Sequence, residues 1–133
     1  MLHGRRHCGA VVFEMPNEAA YRTICYCHGC RRQSGAPMAA RAMVPADNVV
    51  VRGEPKVYAS SANGRRSFCG ACGAGLYFSN EPLLRMGMMP VRIAAPDIPD
   101  AIVPAAQAQM AERIEWMDSV HKLSAFERFP VSG

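Results

Sequence analysis

Three cysteines lie within six residues in the stretch Cys25-Tyr26-Cys27-His28-Gly29-Cys30, and this cluster limits what the chain can fold into. Cys25 and Cys27 are too close in sequence for an easy disulfide, but both sulfurs can turn towards one ion. The two-residue gap between Cys27 and Cys30 is a standard spacing for zinc ligands. Zinc also keeps thiols deprotonated at neutral pH. The cluster therefore predicts a zinc site, with three buried or redox-active cysteines as the alternative.

A second cysteine pair, Cys69-Gly70-Ala71-Cys72, repeats the two-residue gap. Glycines frame this pair and allow the tight turn that wraps backbone around an ion. An apolar β-type run at 76–78 follows it. A strand, a knuckle and a second strand are typical of half of a zinc ribbon.

The composition favours one small domain, which we expect to span residues 1–133. The chain contains 11 glycines, 10 prolines and 9 methionines, which indicates short elements joined by many turns. The sequence contains no run of 18 apolar residues, so we expect no membrane-spanning helix. The first residues lack the apolar core of a secretion signal. Six cysteines in such a chain predict reduced, metal-bound thiols in the cytoplasm.

The formal net charge of +4 gives little support to nucleic acid as a partner. The basic residues are scattered, apart from the pairs Arg5-Arg6, Arg31-Arg32 and Arg65-Arg66. Six thiolates holding two zinc ions would lower the charge further. We therefore expect no nucleic-acid partner.

Short runs of β-branched and aromatic residues predict a mainly β chain. The predicted strands are residues 10–14, 21–24, 38–44, 49–51, 56–58 and 76–78. Residues 1–7 read as a polar lead-in, and 105–117 favours a helix by propensity alone. Trp116, the single tryptophan, is expected to anchor the C-terminal segment with Phe126 and Phe129.

These landmarks together resemble the glutathione-dependent formaldehyde-activating enzyme family, which includes centromere protein V. The matching stretches are residues 4–14 (with HCGAVVFE), 25–36 (CYCHGCRRQSGA) and 68–76 (FCGACGAGL), together with Gly53, Tyr58, Gly87, Pro104, Trp116, Leu123, Phe126 and Pro130. The resemblance covers almost the whole chain. It implies a mainly antiparallel, zinc-ribbon-like fold of the β-tent type. It also implies that residues 105–110 are extended, against their helix propensity.

In that family a structural zinc is held by an early Cys-x-Cys pair and the later Cys-x-x-Cys pair. Here the resemblance assigns this site to Cys8, Cys69 and Cys72, but Arg6 stands where the other early cysteine is expected. Three thiolates leave one position of a tetrahedral site open. His3 or a water could fill it, or the site could hold no ion and Arg6 could replace its charge. His7 would face the other way on an extended strand.

The family's second site is complete in this chain. The resemblance implies that Cys25, Cys27 and Cys30 hold a catalytic-type zinc, because three protein ligands leave one position for substrate. The alternative is a structural knuckle completed by a water or by His28. We expect one or two Zn²⁺ ions per chain.

The family's activity is the condensation of glutathione with formaldehyde to S-(hydroxymethyl)glutathione. A zinc with three thiolates is net negative and hence a weak Lewis acid, so delivery of an activated thiol is the favoured role. Arg31 and Arg32 lie beside the cluster and could bind the carboxylates of glutathione, although adjacent arginines are often ordinary surface residues.

The sequence is therefore interpreted as a zinc-dependent carbon-sulfur lyase that uses a thiol such as glutathione and an aldehyde. One alternative is a non-catalytic zinc module that binds a macromolecular partner, for which the chain lacks a long basic tail. Another is a thiol redox protein that uses Cys27 and Cys30 without metal.

Overall fold

Two β-sheets make up most of the computed structural model, which describes residues 1–19, 21–93, 97 and 99–130. The strands are β1 (Leu2–Arg5), β2 (Val12–Met15), β3 (Tyr21–Cys25), β4 (Ala39–Pro45), β5 (Val50–Arg52), β6 (Pro55–Ala59), β7 (Arg65–Cys69), β8 (Gly75–Ser79), β9 (Met88–Arg92) and β10 (Ala106–Ala108). The predicted mainly β, antiparallel class is confirmed. That the domain extends over all of 1–133 stays a prediction.

The smaller sheet has the order β1-β2-β5, and the larger has the order β10-β3-β4-β9-β8-β7-β6. Every neighbouring pair is antiparallel except β10 and β3. The central strands β4, β9 and β8 join the two cysteine regions, because β3 on one side carries Cys25 and β7 on the other carries Cys69.

The main hydrophobic core lies between these two sheets. Its buried residues are Leu2, Phe13, Met15, Ala42, Val44, Val91, Ile93 and Ile102. Apolar side chains alternate with outward-facing ones along β2 and β4, as expected for strands with one face on a core. The sheets thus hold the ends of β3 and β7 in a fixed relationship.

Two short helices interrupt the strands, and neither was predicted. The first, α1 (His28–Ser34), begins after Cys27 and ends at Gly35, which adopts the left-handed conformation with φ of 66°. The second, α2 (Glu81–Met86), is capped by Asn80. Further 3₁₀ turns are Ala46–Asn48, Pro99–Ala101, Met110–Glu112 and Glu115–Lys122. In the described residues no helix is both long and apolar enough to cross a membrane.

The six predicted strands are all present, with small shifts in their ends. The expectation of a polar lead-in over residues 1–7 was wrong, since Leu2 is buried on β1 and pairs with Met15. Residues 106–108 form a parallel strand with β3, so the extended conformation implied by the family resemblance is confirmed there and the propensity-based helix is wrong. The extended prediction was wrong at Gln109, which has φ of 58°, and at Met110, where a 3₁₀ turn begins. Pairing with an open sheet edge outweighs weak helix propensity.

The aromatic residues of the C-terminal segment do not anchor it. Trp116 is 53% exposed, Phe126 58% and Phe129 90%. The expectation that Trp116 anchors this segment together with Phe126 and Phe129 was therefore wrong. The sequence identifies aromatic side chains whose burial would be favourable, but it does not show whether other parts of the chain pack against them.

Candidate metal centres

Three cysteine sulfurs converge where β3 passes into α1. Cys25 ends the strand, Cys27 caps the helix and Cys30 lies in its first turn; we call these residues the helix triad. Their sulfurs all lie within 4.8 Å of one another. Zinc–sulfur bonds of about 2.3 Å in a tetrahedral site require sulfurs about 3.8 Å apart, which this spacing fits. The predicted cluster is therefore assembled, while its occupation by zinc stays a prediction.

The helix triad has one accessible side. Cys25 and Cys30 are each 2% exposed, whereas Cys27 is only partly buried. The backbone N–H of Cys30 donates to the Cys27 sulfur at 3.3 Å, as in a helix N-cap. Any molecule that reaches an ion here must therefore approach from the side of Cys27.

Cys27 and Cys30 of the helix triad differ in acidity. Burial acts to raise the pKa of Cys27, but hydrogen bonds from Cys30 and Cys25 outweigh it, so the pKa is lowered overall. Burial, together with the hydrogen bond to Cys27 and the neighbouring sulfurs, raises the pKa of Cys30 to about 12. The thiols compete for the same protons, and a divalent cation would replace those protons.

Three arginines that the sequence did not single out surround the helix triad. Arg41, Arg66 and Arg92 line a small space against Cys30, together with Gln33. Arg92 donates to the Gln33 side-chain oxygen. Burial is the largest cause of the lowered pKa of Arg92, followed by the opposing effect of the Cys30 charge. In the sequence, the only indication of a special role for Arg41 and Arg92 is that each is a charged residue within an otherwise apolar strand.

The two arginines predicted to bind substrate have different surroundings. The Arg31 side chain donates from Nε to the backbone oxygen of Tyr26 at 3.1 Å, so it supports the turn that carries Cys27. Arg32 is exposed and lines a cleft of about 430 Å³ together with Arg66 and Phe78. Of the two, only Arg32 is placed at a site that a ligand can enter.

His28 lies outside the group of converging sulfurs. Its backbone N–H donates to Glu112 Oε2 at 3.2 Å, and its ring Nδ1 is 3.9 Å from Glu112 Oε1. The imidazole is mostly exposed. The structure thus gives no support to His28 as a fourth ligand or as the proton carrier.

Cys8, Cys69 and Cys72 form a second convergent group, the turn triad, whose sulfurs also lie within 4.8 Å of one another. The Cys8 and Cys69 sulfurs are 3.6 Å apart. Cys69 is buried at the end of β7, whereas the other two are exposed. A tight turn closed by Gly73 N–H donating to Cys69 oxygen at 2.8 Å brings Cys72 back towards Cys69.

Cys72 is the more acidic of the two exposed cysteines of the turn triad. A hydrogen bond from the backbone of Ala74, followed by one from Cys8, lowers the pKa of Cys72 to about 7. A thiol with a pKa near 7 is partly deprotonated at pH 7, and the thiolate is the form that binds a metal ion.

No histidine or carboxylate of the described residues completes the turn triad. His7 is exposed in a turn that follows β1. The prediction that His7 faces away from the site on an extended strand therefore assumed the wrong local structure. The His3 ring lies 3.5 Å from Glu14 Oε1 instead. Among the described residues, the turn triad therefore offers three converging protein ligands.

Arg6 occupies the interior beside the turn triad. It is 4% exposed, its guanidinium carbon lies 4.9 Å from the centre of the Phe13 ring, and Nη2 reaches Leu76 oxygen at 3.5 Å. Burial and the charge of Arg92 lower the pKa of Arg6 to about 10, while the charges of Cys72 and Cys69 act in the opposite direction. A cation is thus built in next to this triad.

Comparisons with known proteins agree with this arrangement. No curated protein matches the sequence. A solved structure of a protein from Rhodobacter sphaeroides has a similar fold, with a TM-score of 0.61, 24% identity, and 80% of this chain and 100% of the other covered. The family model of the glutathione-dependent formaldehyde-activating enzyme matches residues 1–112. The chain therefore belongs to the glutathione-dependent formaldehyde-activating enzyme family.

Proposed function

We propose that this protein is a zinc-dependent carbon-sulfur lyase that joins formaldehyde to glutathione or a related acidic thiol, as in S-(hydroxymethyl)glutathione synthase. The observation that carries the proposal is the convergence of three sulfurs with Cys27 on the open side. Family membership supports the reaction type. The helix triad is the proposed catalytic centre, and the turn triad is the proposed structural one.

The donor set of the helix triad suits zinc. Three thiolates at tetrahedral spacing leave one position open, which is the pattern of catalytic rather than structural sites. When bound there, zinc would lower the pKa of an incoming thiol and so supply a sulfur nucleophile at neutral pH. Cys25 and Cys30 exclude water from the buried side, and Cys27 borders the entrance.

The reaction needs no further reactant. A carbon–sulfur bond forms between the thiol sulfur and the aldehyde carbon while the carbon–oxygen double bond becomes single. The thiol proton ends on the aldehyde oxygen, so nothing is oxidised or reduced overall. The protein contributes chiefly by holding both reactants together, which favours the addition entropically.

The cleft of about 430 Å³ beside α1 is the proposed binding site for the thiol. Arg32 and Arg66 both line it, and their guanidinium groups can pair with carboxylates of an acidic thiol. Arg66 lies over the Phe78 ring at 5.1 Å, which fixes its direction. A Cβ at Gly29 would come within 2.8 Å of Arg66 Nη2, so this glycine allows the arginine to approach the start of α1.

The test is the rate of exchange between free formaldehyde and its glutathione adduct, measured by NMR magnetisation transfer with and without the zinc-loaded protein. This method is needed because the uncatalysed addition is itself easy. We expect exchange to rise in proportion to protein concentration. A rate equal to the background at every protein concentration would contradict the proposal.

A non-catalytic zinc module is the second candidate, and the exposed apolar C-terminal segment favours it. Trp116, Leu123 and Phe129 are all exposed, and exposed apolar groups of this size are typical of contact surfaces. The exchange measurement separates the two candidates, because a binding module leaves the rate unchanged.

All six cysteines are free thiols, which supports the cytoplasm as the proposed location.

A further inference from the structure

A second cavity, larger than the thiol cleft, is lined by residues that follow Cys72 (73–75) and by Gln33 and Ser34 of α1. Its volume is about 620 Å³. The side chains of Arg5, Arg6 and Arg92 line it together with a single carboxylate, Asp97. A cavity with three guanidinium groups and one carboxylate has an excess of positive charge, and therefore attracts anions.

Arg6 carries donors that no group in the described part of the chain satisfies. A guanidinium has five N–H donors, but the hydrogen bonds described for this side chain comprise one long contact, from Nη2 to Leu76 oxygen at 3.5 Å. The buried Nε has no hydrogen-bond partner among the described residues. Burying a charged group without a hydrogen-bonded counterion is costly, so a site of this kind favours a bound anion.

Arg92 adds a second positive charge to the same cavity. The guanidinium groups of Arg6 and Arg92 both line the cavity, so their like charges repel each other. The ion pairs of the described residues join His3 to Glu14, His28 to Glu112 and Arg113 to Asp118. Neither Arg6 nor Arg92 therefore has a carboxylate partner in the part of the chain that the structure describes. An anion between them would relieve the repulsion and satisfy donors of both.

The rest of the wall combines the polar side chains of His7, Gln33 and Ser34 with a set of small or apolar residues. This set includes Ala36, Met38, Ala39, Ala40 and Ala74. Inorganic ions do not need such a surface, whereas a ligand with a carbon skeleton does. We propose that this cavity binds a small organic anion whose carboxylate or phosphate group lies against Arg6 and Arg92.

This site differs from the thiol cleft of the proposed function. Gln33 borders both spaces, but Arg32 and Arg66 line the cleft and not the cavity, whereas Arg6 and Arg92 line the cavity and not the cleft. Arg6 also stands where the family resemblance places a cysteine. The anion site is thus a property of this chain's own sequence and does not depend on the reaction at the helix triad.

The test is isothermal titration calorimetry on the zinc-loaded protein, freed of excess metal, with inorganic phosphate and succinate as separate probes. We expect saturable binding of at least one probe with one site per chain. Tighter binding of phosphate would indicate a phosphate ester as the natural ligand, and tighter binding of succinate a carboxylic acid. Absence of saturable binding by both would overturn the proposal.

Variants locate the bound anion. Arg92→Gln and Arg6→Gln should each weaken binding about tenfold or more, because each removes a charge-assisted interaction. Arg85→Gln removes an exposed guanidinium at the end of α2, outside the cavity, and should leave the affinity unchanged. If Arg6→Gln fails to fold, Arg92→Gln decides alone. Wild-type affinity in Arg92→Gln would overturn the proposal.

The Cys27→Ser variant tests whether the anion binds to zinc at the helix triad instead of in the cavity. It removes a proposed ligand of the helix triad but no arginine of the cavity. We expect the same anion affinity in this variant as in the wild type. Loss of binding there would place the anion at the metal and contradict the cavity site.

Discussion

Arg41 on β4 and Arg92 on β9 are cross-strand partners, so two positive side chains stand opposite each other at the centre of the larger sheet. They line the same small space against Cys30. Like charges in this position normally destabilise a sheet. Thiolates of the helix triad can compensate for them, which couples the stability of the strand pair to the state of the cysteines.

Substituting Arg41 should therefore change the effect of zinc removal. A triad with zinc carries net negative charge, whereas three protonated thiols are neutral and leave the two arginines uncompensated. Arg41→Gln should lose less stability on chelation than the wild type, by roughly 0.5–1 kcal/mol. Thermal unfolding of zinc-loaded and chelated protein measures the difference. Arg85→Gln serves as the control, and equal losses in Arg41→Gln and wild type would show no coupling.

Cys27→Ser should reduce the catalysed exchange of formaldehyde with glutathione to the background rate. The side chain lies on the accessible side of the helix triad, while the buried positions 25 and 30 are unchanged. Circular dichroism should show an intact fold. An active variant would remove the helix triad from the mechanism.

Arg32→Gln should raise the KM for glutathione roughly three- to tenfold, since one exposed carboxylate contact is lost. The KM for a neutral thiol such as 2-mercaptoethanol should not change, because that thiol has no carboxylate to pair. Arg31→Gln is the matched control, because it removes the neighbouring guanidinium, which contacts the backbone of Tyr26 and does not line the cleft. Equal effects of Arg32→Gln on both thiols would exclude carboxylate recognition by this residue.

Cys72→Ser should lower the free energy of unfolding by about 2 kcal/mol or more if the turn triad holds zinc. Cys72 is exposed, so the substitution removes a ligand without creating a cavity in the core. The same comparison in chelated protein provides the control, where the two chains should unfold alike. An unchanged melting temperature in the zinc-loaded proteins would mean that the turn triad holds no stabilising ion.

Arg6→Cys should restore a fourth thiolate and raise the zinc affinity of the turn triad. Four thiolates close a tetrahedral structural site. Retention of zinc against a competing chelator measures the effect. Weaker retention than in the wild type would instead show that Arg6 is required beside the thiolates. The variant should also lose the anion bound in the cavity.

Ligand spacing within a knuckle is a local property, so the spacing alone predicted the helix triad and the Cys69/Cys72 pair of the turn triad. The two-residue gaps at 27–30 and 69–72 each correspond to one tight turn, and a turn can be inferred from its own residues. Short β-branched runs likewise indicated the strands. Family resemblance was needed for Cys8, which is about 60 residues from its partners in the turn triad.

The arginines around the helix triad could not be predicted in the same way. Arg41 and Arg92 meet only through the register of β4 against β9, and Arg66 meets α1 through its position on β7. Such contacts depend on the sheet order, which local patterns do not give. The helix α1 was missed because it has seven residues, contains Gly29 and depends on its caps rather than on propensity.

Zinc content of the Cys72→Ser variant tests the central claim most directly, because this substitution disrupts the turn triad and leaves the helix triad complete. Elemental analysis of protein purified without chelators should give one zinc ion per chain, and adding Cys27→Ser should remove it. A folded Cys72→Ser protein without zinc would contradict a metal centre at Cys25, Cys27 and Cys30.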